Sequence, residues 1–354
     1  MTHSPREPDP AVVPDDLMQL VRGYQASRVV LTGIELGAFT AVERLRPRAT
    51  AERVAAELRA DLRATEILLD ALVALGLLTK ERGAFANGAT ARRFLVAGSA
   101  DDATVALRHN LNLWESWSSL TECVRSGRPA HVREMAERGD EWTVPFIAAM
   151  HRNAAVRAPL VVQAVGPEGV RRLLDVGGGS GAYSIAFARA NPALHADVLD
   201  LETVLPIASR YIAEAGLADR VHARRGDLRR DHLGSGHDLV LLSAICHMLG
   251  PDENRDLFRR AFEALVPGGR IVIQDHVMDG DKTSPRAGAL FAVNMLVGTL
   301  AGATYSEAEY GGWLGEAGFT GVRRVPLPGP SDLVVAVRSG GRMPAATPPG
   351  EEGA

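Results

Sequence analysis

Three acidic residues, each following an apolar run, carry the first chemical signal in the chain. Asp175 lies in Leu173-Leu174-Asp175-Val176 and is followed at once by Gly177-Gly178-Gly179-Ser180-Gly181. Asp200 closes the run Leu194 to Leu199, and Gly226-Asp227 follows Val221 to Arg224. A carboxylate only accepts hydrogen bonds and favours cations. Asp200 therefore stands where ribose hydroxyls would be bound, and Asp227 where an adenine amino group would be met. Glycine lets a ligand approach the main chain closely. The helix start after the turn offers unpaired N–H groups to a carboxylate or phosphate. Gly177-x-Gly179-x-x-Ala182 also fits a relaxed dinucleotide fingerprint. Asp175 beside the glycines repels a pyrophosphate and favours a sulfonium amino acid, by the sign of the Coulomb energy.

The elements that must position these groups read as an α/β, doubly wound parallel sheet. The run Leu173 to Val176 is a strand, and Ala182 to Ala188 opens a helix. Further strands are expected at Leu194 to Leu199, Val221 to Arg224, Leu239 to Leu242 and Arg270 to Gln274, with helices at Val204 to Ala215 and Asp252 to Leu265. Val322 to Leu327 and Leu333 to Arg338 are joined by Pro328-Gly329-Pro330-Ser331-Asp332. That loop cannot hold a crossover helix, so the pair must be an antiparallel hairpin. Seven strands ending in such a hairpin depart from the usual dinucleotide-binding layout.

Upstream, Asp15 or Asp16 is expected to cap a helix from Leu17 through Leu36 whose apolar positions exceed the needs of a free surface helix. It is expected to pack on a second subunit. Thr50 begins a capping-box-like segment, and Arg63 to Leu75 should bury Ile67, Leu68, Ala71, Leu72 and Leu75 on one face. Leu77 to Lys80 and Gly83 to Ala86 read as a small hairpin. Helix, turn, helix and hairpin make a winged helix, expected to serve dimerisation rather than DNA because acids interleave with its arginines. Residues 100–165 are helical and richer in Trp and Met, either as core or as the roof of a pocket. The organisation expected is a polar terminus at 1–14, a winged-helix domain at 15–99, the helical segment, a ligand-binding domain at 166–339 and a disordered tail at 340–354.

Composition narrows the class. The 354 residues are 46% hydrophobic and 23% charged with net charge −4, as in soluble globular proteins and without the basic excess of a nucleic-acid binder. No run approaches the about 18–20 apolar residues of a membrane span. The two cysteines, Cys123 and Cys246, suit reduced thiols in a cytoplasmic protein, and no Cys or His spacing suggests a metal site.

Asp175-Val-Gly-Gly-Gly-Ser-Gly181, Asp200-Leu-Glu, Gly226-Asp227, Ile245-Cys246-His247 and Leu265-Val-Pro-Gly-Gly269 together resemble the class I S-adenosylmethionine-dependent methyltransferases. More narrowly, they resemble the caffeate-type and bacterial natural-product small-molecule O-methyltransferases, over about Leu17 to Arg338. The resemblance implies a Rossmann-like sheet, a homodimer and S-adenosyl-L-methionine as cofactor. It implies cofactor binding by Asp175, Gly177, Gly179, Gly181, Asp200, Leu201, Gly226, Asp227, Leu228 and Ser243. It implies His247 as catalytic base with Asp275 as its acid partner, and an acceptor pocket lined by Phe146, Met150, His151, Asn153, Asn294 and Met295. A second acid of the plant enzymes falls on Thr304, and Met248-Leu249 replaces an Asp-Trp pair.

The chemistry supports that assignment. A phenol loses its proton with a pKa near ~10, and an imidazole titrating near neutrality can accept it as the oxygen attacks. His247 and Asp275 both follow strands that end at the ligand edge of the sheet. A carboxylate on one imidazole nitrogen would fix the tautomer. Strand alternation should send His276 to the opposite side. The expected activity is methylation of a hydroxyl on an aromatic or polyketide-like molecule in secondary metabolism. Carbon or nitrogen methylation, cofactor-dependent chemistry without methyl transfer, a winged-helix regulator and a nicotinamide oxidoreductase are the alternatives.

Overall fold

The computed structural model describes residues 13–130 and 138–340. The chain divides into two compact units, Met1–Leu111 and Asn112–Ala354.

The first unit begins with α1 (Asp15–Leu36) and α2 (Ala38–Arg44), then β1 (Ala49–Thr50), α3 (Ala51–Leu58), α4 (Leu62–Ala74), β2 (Leu78–Glu81), β3 (Ala84–Asn87) and α5 (Ala89–Phe94). The three short strands pair antiparallel in the order β1-β3-β2. The α3–α4 pair followed by the β2–β3 hairpin is the winged-helix arrangement. Its core joins Phe39, Val42, Val54, Leu69, Leu72 and Phe85.

Three local expectations are corrected here. Pro14, not Asp15 or Asp16, precedes the first turn of α1, and both aspartates lie inside it, where they favour the helix dipole. Thr50 stands at the N-cap of α3, but the third helical residue is Arg53, so no capping box forms; Arg53 binds the Arg48 carbonyl instead. The buried face of α4 is Thr65, Leu69 and Leu72, while Ile67 and Leu75 are exposed. Asp61 caps α4 one residue earlier than its apolar pattern begins.

α6 (Thr104–Ser118) contains the division between the units. It is followed by α7 (Leu120–Ser126) and α8 (Asp140–Val165). Then β4 (Arg172–Val176), α9 (Ala182–Ala190), β5 (His195–Asp200), α10 (Leu205–Glu214), β6 (Val221–Arg225) and β7 (His237–Ser243) alternate. A 3-10 turn at Cys246–Met248 leads to α11 (Pro251–Ala264), β8 (Leu265–Asp275), β9 (Val277–Met278), α12 (Arg286–Gly298), β10 (Tyr305–Ser306), α13 (Glu307–Glu316), β11 (Phe319–Val325) and β12 (Asp332–Arg338).

The seven-stranded sheet runs β11-β12-β8-β7-β4-β5-β6. β8, β7, β4, β5 and β6 are parallel, and β12 and β11 are antiparallel. Parallel strands are covered on both faces and read as continuous apolar runs. Successive side chains then serve opposite layers. Leu173, Leu239, Leu241, Val272 and Val335 pack under α8, α9 and α10. Leu174, Val240, Leu242, Ile271 and Val334 pack under α11 and α13. The same parity decides where the polar strand ends go. Asp175 and Gln274 fall on the α9 face, and Asp275 on the other.

Candidate active site

The glycine turn closes the carboxyl end of β4. Gly177 has φ +66° and donates its N–H to the Leu199 carbonyl at 2.7 Å. A Cβ there would run into Ile245 and lie 3.3 Å from Leu228, so Gly177, Ile245 and Leu228 meet as one floor. At Gly179 (φ +57°) the nearest neighbour of a Cβ would be Ile147, 3.8 Å away, which leaves the backbone open to a ligand. Asp200 ties the turn to β5: its Oδ2 accepts from the Gly179 N–H and its Oδ1 from the Leu201 N–H, both at 2.8 Å. Asp227 accepts from the Arg229 N–H at 2.9 Å, which fixes the loop that presents Leu228, and the Gly226 N–H bonds the Asp200 carbonyl. Gly181 supplies the left-handed residue that starts α9.

Asp175 is fully buried beneath this turn, and Ser184 of α9 donates to its Oδ2 at 2.8 Å. Among the described residues its Oδ1 has no hydrogen-bond partner. Burial pushes the Asp175 carboxyl up to about 7, with the charge of Asp200 adding to the effect and the Ser184 bond opposing it. Burial also raises Asp200, against the two backbone N–H groups it accepts from.

A second buried polar group on the same face was not foreseen. Ser243 and the Tyr183 hydroxyl both donate to Gln274 Oε1, at 2.7 and 3.0 Å, while Gln274 Nε2 bonds Ser331 in the C-terminal hairpin. Register explains it, since Ser243 pairs with Gln274 across β7 and β8. Nothing local in the sequence marks Gln274 or Tyr183.

One residue further, β8 turns Asp275 to the opposite face. Asp275 is 2% exposed and His247, on the 3-10 turn, 6%. Asp275 Oδ1 accepts from His247 Nδ1 at 2.8 Å, and Oδ2 accepts from the His247 backbone N–H at 3.1 Å. Oδ1 also accepts the His276 N–H at 2.8 Å. The carboxylate thus holds His247 by ring and main chain together. With Nδ1 donating to this carboxylate, Nε2 is the ring nitrogen left to act as acceptor. Thr304 is buried, and Asp275 is the one carboxylate bonded to His247 among the described residues.

The separation expected for His276 is incomplete, because β8 ends at Asp275 and alternation ends with it. Phe291 of α12 lies edge-on to His247 at 4.7 Å and against His276 at 4.5 Å. Burial lowers the pKa of His276 and favours its neutral form.

This arrangement has known counterparts. An O-methyltransferase domain family matches residues 117–320, and an O-methyltransferase dimerisation domain family matches residues 18–97. The chain belongs to the O-methyltransferase family. A 3-hydroxy-5-methyl-1-naphthoate 3-O-methyltransferase from Streptomyces sahachiroi is 35% identical over 92% of this chain and 96% of that protein. An L-tyrosine C(3)-methyltransferase from Streptomyces lavendulae is 29% identical over 92% and 93%. The solved structure of PigF with SAH superposes with a TM-score of 0.84 at 26% identity, covering 92% of this chain and all of that one.

The methyltransferase takes S-adenosyl-L-methionine, and its own residues fit that ligand. Asp200 at the glycine turn and Asp227 on the next loop line the crevice with carboxyl oxygens that act as hydrogen-bond acceptors. Such acceptors suit the hydroxyl, amino and ammonium donors of that cofactor and offer nothing to a pyrophosphate, which carries no donor.

The residues expected to hold the acceptor divide into two groups. On α8, Phe146 stacks on Trp142 at 4.9 Å, Met150 is half-buried and Asn153 is exposed. His151 is drawn to the glycine turn: its Nδ1 bonds Ser180 at 2.8 Å and its ring stacks on Tyr211 at 3.9 Å. Burial lowers its pKa. On α12, Met295 is buried, and Asn294 accepts a hydrogen bond from Trp117 Nε1 at 2.9 Å.

Proposed function

We propose that this methyltransferase methylates a hydroxyl of an aromatic or polyketide-like acceptor in secondary metabolism, with His247 as general base. The observation that carries the reading is the 2.8 Å His247–Asp275 bond, backed by the main-chain bond to the same carboxylate. When bound, the cofactor supplies an electrophilic methyl group on a sulfonium. The Gly177–Gly181 turn, Asp200 and Asp227 hold it, with Leu201 and Leu228 flanking and Ser243 bordering the crevice. His247 Nε2 takes the acceptor proton as the oxygen attacks, and Asp275 stabilises the imidazolium that forms. Holding the partners in line supplies most of the acceleration, and the base adds about 10²–10⁴-fold.

The relatives named above act on a hydroxynaphthoate and on tyrosine, which supports a flat phenolic acceptor. The tyrosine C-methyltransferase also favours a second reading, in which the same base creates a phenolate that reacts at carbon. Carbon-13 NMR of the product separates an O-methyl from a C-methyl group. His247→Gln tests the base: kcat should fall about 10²–10⁴-fold while S-adenosylhomocysteine still binds. An unchanged kcat would exclude the role.

The dimerisation family match supports a homodimer. We place its interface on α1, whose Leu17, Leu20, Val21 and Tyr24 are exposed. The winged helix serves that assembly and not DNA, since Lys80 of its hairpin is held by Glu66 and Asp70. Among the described residues no helix is long and apolar enough to cross a membrane. The buried free thiols Cys123 and Cys246 suit a cytoplasmic setting.

A further inference from the structure

We infer that Asn254, in the first turn of α11, is a positioning residue for the base: it and Asp275 grip the Cys246–His247 peptide from opposite edges and so set where His247 Nε2 stands. The inference rests on the general-base reading above and adds a residue to it. It begins with a single peptide unit. A peptide is planar and rigid, with its N–H and C=O on opposite edges. The N–H of this one, which belongs to His247, is taken by Asp275 Oδ2 at 3.1 Å. Its C=O, which belongs to Cys246, accepts from Asn254 Nδ2 at 3.0 Å. With both edges held, the plane cannot turn freely, and the imidazole leaves the main chain in a fixed direction. That direction brings His247 Nδ1 to Asp275 Oδ1 at 2.8 Å.

Asn254 is fully buried, and its amide nitrogen also meets the carbonyls of Leu249 at 3.3 Å and Gly250 at 3.2 Å. Three carbonyl oxygens welcome a donor and repel an oxygen, which fixes the orientation of the amide. Its Oδ1 has no hydrogen-bond partner among the described residues. Burying an oxygen in that way is unfavourable, so the side chain acts through its donors.

The bonds differ in reach. The Gly250 bond goes back four residues, as a polar side chain commonly does within a helix. The Cys246 bond goes back eight, past the helix start and into the turn that carries the base. The Leu249 N–H reaches the same Cys246 oxygen at 3.2 Å and closes the 3-10 turn, so loss of Asn254 loosens the peptide without unwinding the turn. Two further contacts hold this turn from the stretch after α12. The Tyr305 hydroxyl donates to the Leu249 carbonyl, and a Cβ at Gly302 would run into the His247 carbonyl. Asn254 is the member of this clamp that holds the peptide entering His247.

The test separates the aim of the base from the integrity of the helix start. Asn254→Ser can still bond the Gly250 carbonyl four residues back, but it is too short to reach Cys246. Asn254→Leu keeps the volume and loses all three bonds. The probes are 2-naphthol, which must give up a proton, and 2-naphthalenethiol, which has the same outline. An arenethiol is more acidic than the ~8.5 of a cysteine thiol and is already an anion at about pH 8, so its sulfur takes the methyl group with no proton to move. With 2-naphthol, kcat of both variants should fall about 10–100-fold while KM stays within about 2-fold. With the thiol, kcat should stay near that of the wild type. His247→Gln should show the same contrast more strongly. In the cofactor-free protein, the downfield proton resonance of His247 Nδ1–H, assigned by its absence from His247→Gln, should move upfield or broaden in Asn254→Ser. An unaltered thermal shift with S-adenosylhomocysteine shows that each variant is folded. Equal losses on both probes, or an unmoved resonance, overturn the inference, and the contrast in His247→Gln then leaves the base standing. Absence of that contrast overturns the base reading and this inference with it. Turnover of neither probe overturns the phenolic acceptor class and leaves the resonance to decide.

Discussion

Replacing Asp175 by Asn should make the cofactor-free protein lose a component of its pH dependence. The carboxyl is fully buried, one of its oxygens has no partner among the described residues, and its pKa rises from 3.8 to about 7. A carboxyl raised on folding keeps its proton in the native state while the unfolded chain has lost it. Between about pH 4 and pH 7 the native state therefore binds more protons, and stability falls as pH rises. Above about pH 7 both states are ionised and the loss is complete. The size follows from 1.36 kcal/mol per pKa unit: about 4 kcal/mol in full, and about 3 kcal/mol between pH 5 and pH 8. Asn keeps an oxygen for the Ser184 hydroxyl and carries no charge. Urea unfolding of both proteins without cofactor, at half-unit steps from pH 5 to pH 8, isolates the effect. The lowered His151 and His276 remain in both proteins and cancel in the difference, while Asp200, whose charge helps raise Asp175, enters through that coupling. The variant should gain on the wild type by about 3 kcal/mol toward pH 8. A difference that stays flat across the range would refute the reasoning, because Asp175 would then be ionised throughout.

Further outcomes follow from the same geometry. Asp275→Asn keeps the shape but removes an acceptor from His247 Nδ1, which frees the imidazole to take the wrong tautomer; kcat should fall about 10²–10⁴-fold with cofactor affinity retained, as read by single-turnover kinetics and calorimetry. Gly177→Ala must hold φ +66° and displace Ile245, so denaturant unfolding should show a loss of about 2–3 kcal/mol. Gly179→Ala has room for its Cβ and should lose only about 1 kcal/mol of stability, with the larger effect in cofactor titration. Leu20→Lys with Tyr24→Glu on α1 should shift the dimer to monomer in light scattering, and an unchanged mass would move the interface elsewhere.

What was legible in the sequence was local. The strand, glycine turn and helix around Asp175 announce themselves because backbone freedom, apolar runs and an acid occur within nine residues. The pairing of His247 with Asp275 is what the family resemblance implies, and it agrees with both following strands that end on the same edge. The remainder depends on register. Gln274 matters because β7 and β8 align it with Ser243, and because parity turns it toward Tyr183. No spacing along the chain encodes that meeting. His276 shows the limit of parity itself, which stops being a guide where the strand stops. His151 was expected to line the acceptor pocket, yet Tyr211 and Ser180 draw it to the glycine turn. On α4 the expected face of Ile67, Leu68, Ala71, Leu72 and Leu75 shares only Leu72 with the buried one, which Thr65 and Leu69 complete.

The place of β12 has a consequence for how the enzyme is made. This strand follows the other strands in sequence, yet it lies inside the sheet, between β8 and β11, with Asp332 aligned on Asp275 and Ser331 bonded to Gln274. Until it leaves the ribosome, β8 is an edge strand with a free row of N–H and C=O groups, one that invites pairing with another nascent chain. The carboxylate beneath His247 is then anchored from one side only. Methyl transfer should therefore switch on late and all at once, when the hairpin docks, and a chain interrupted before residue 332 should be inactive and prone to aggregate.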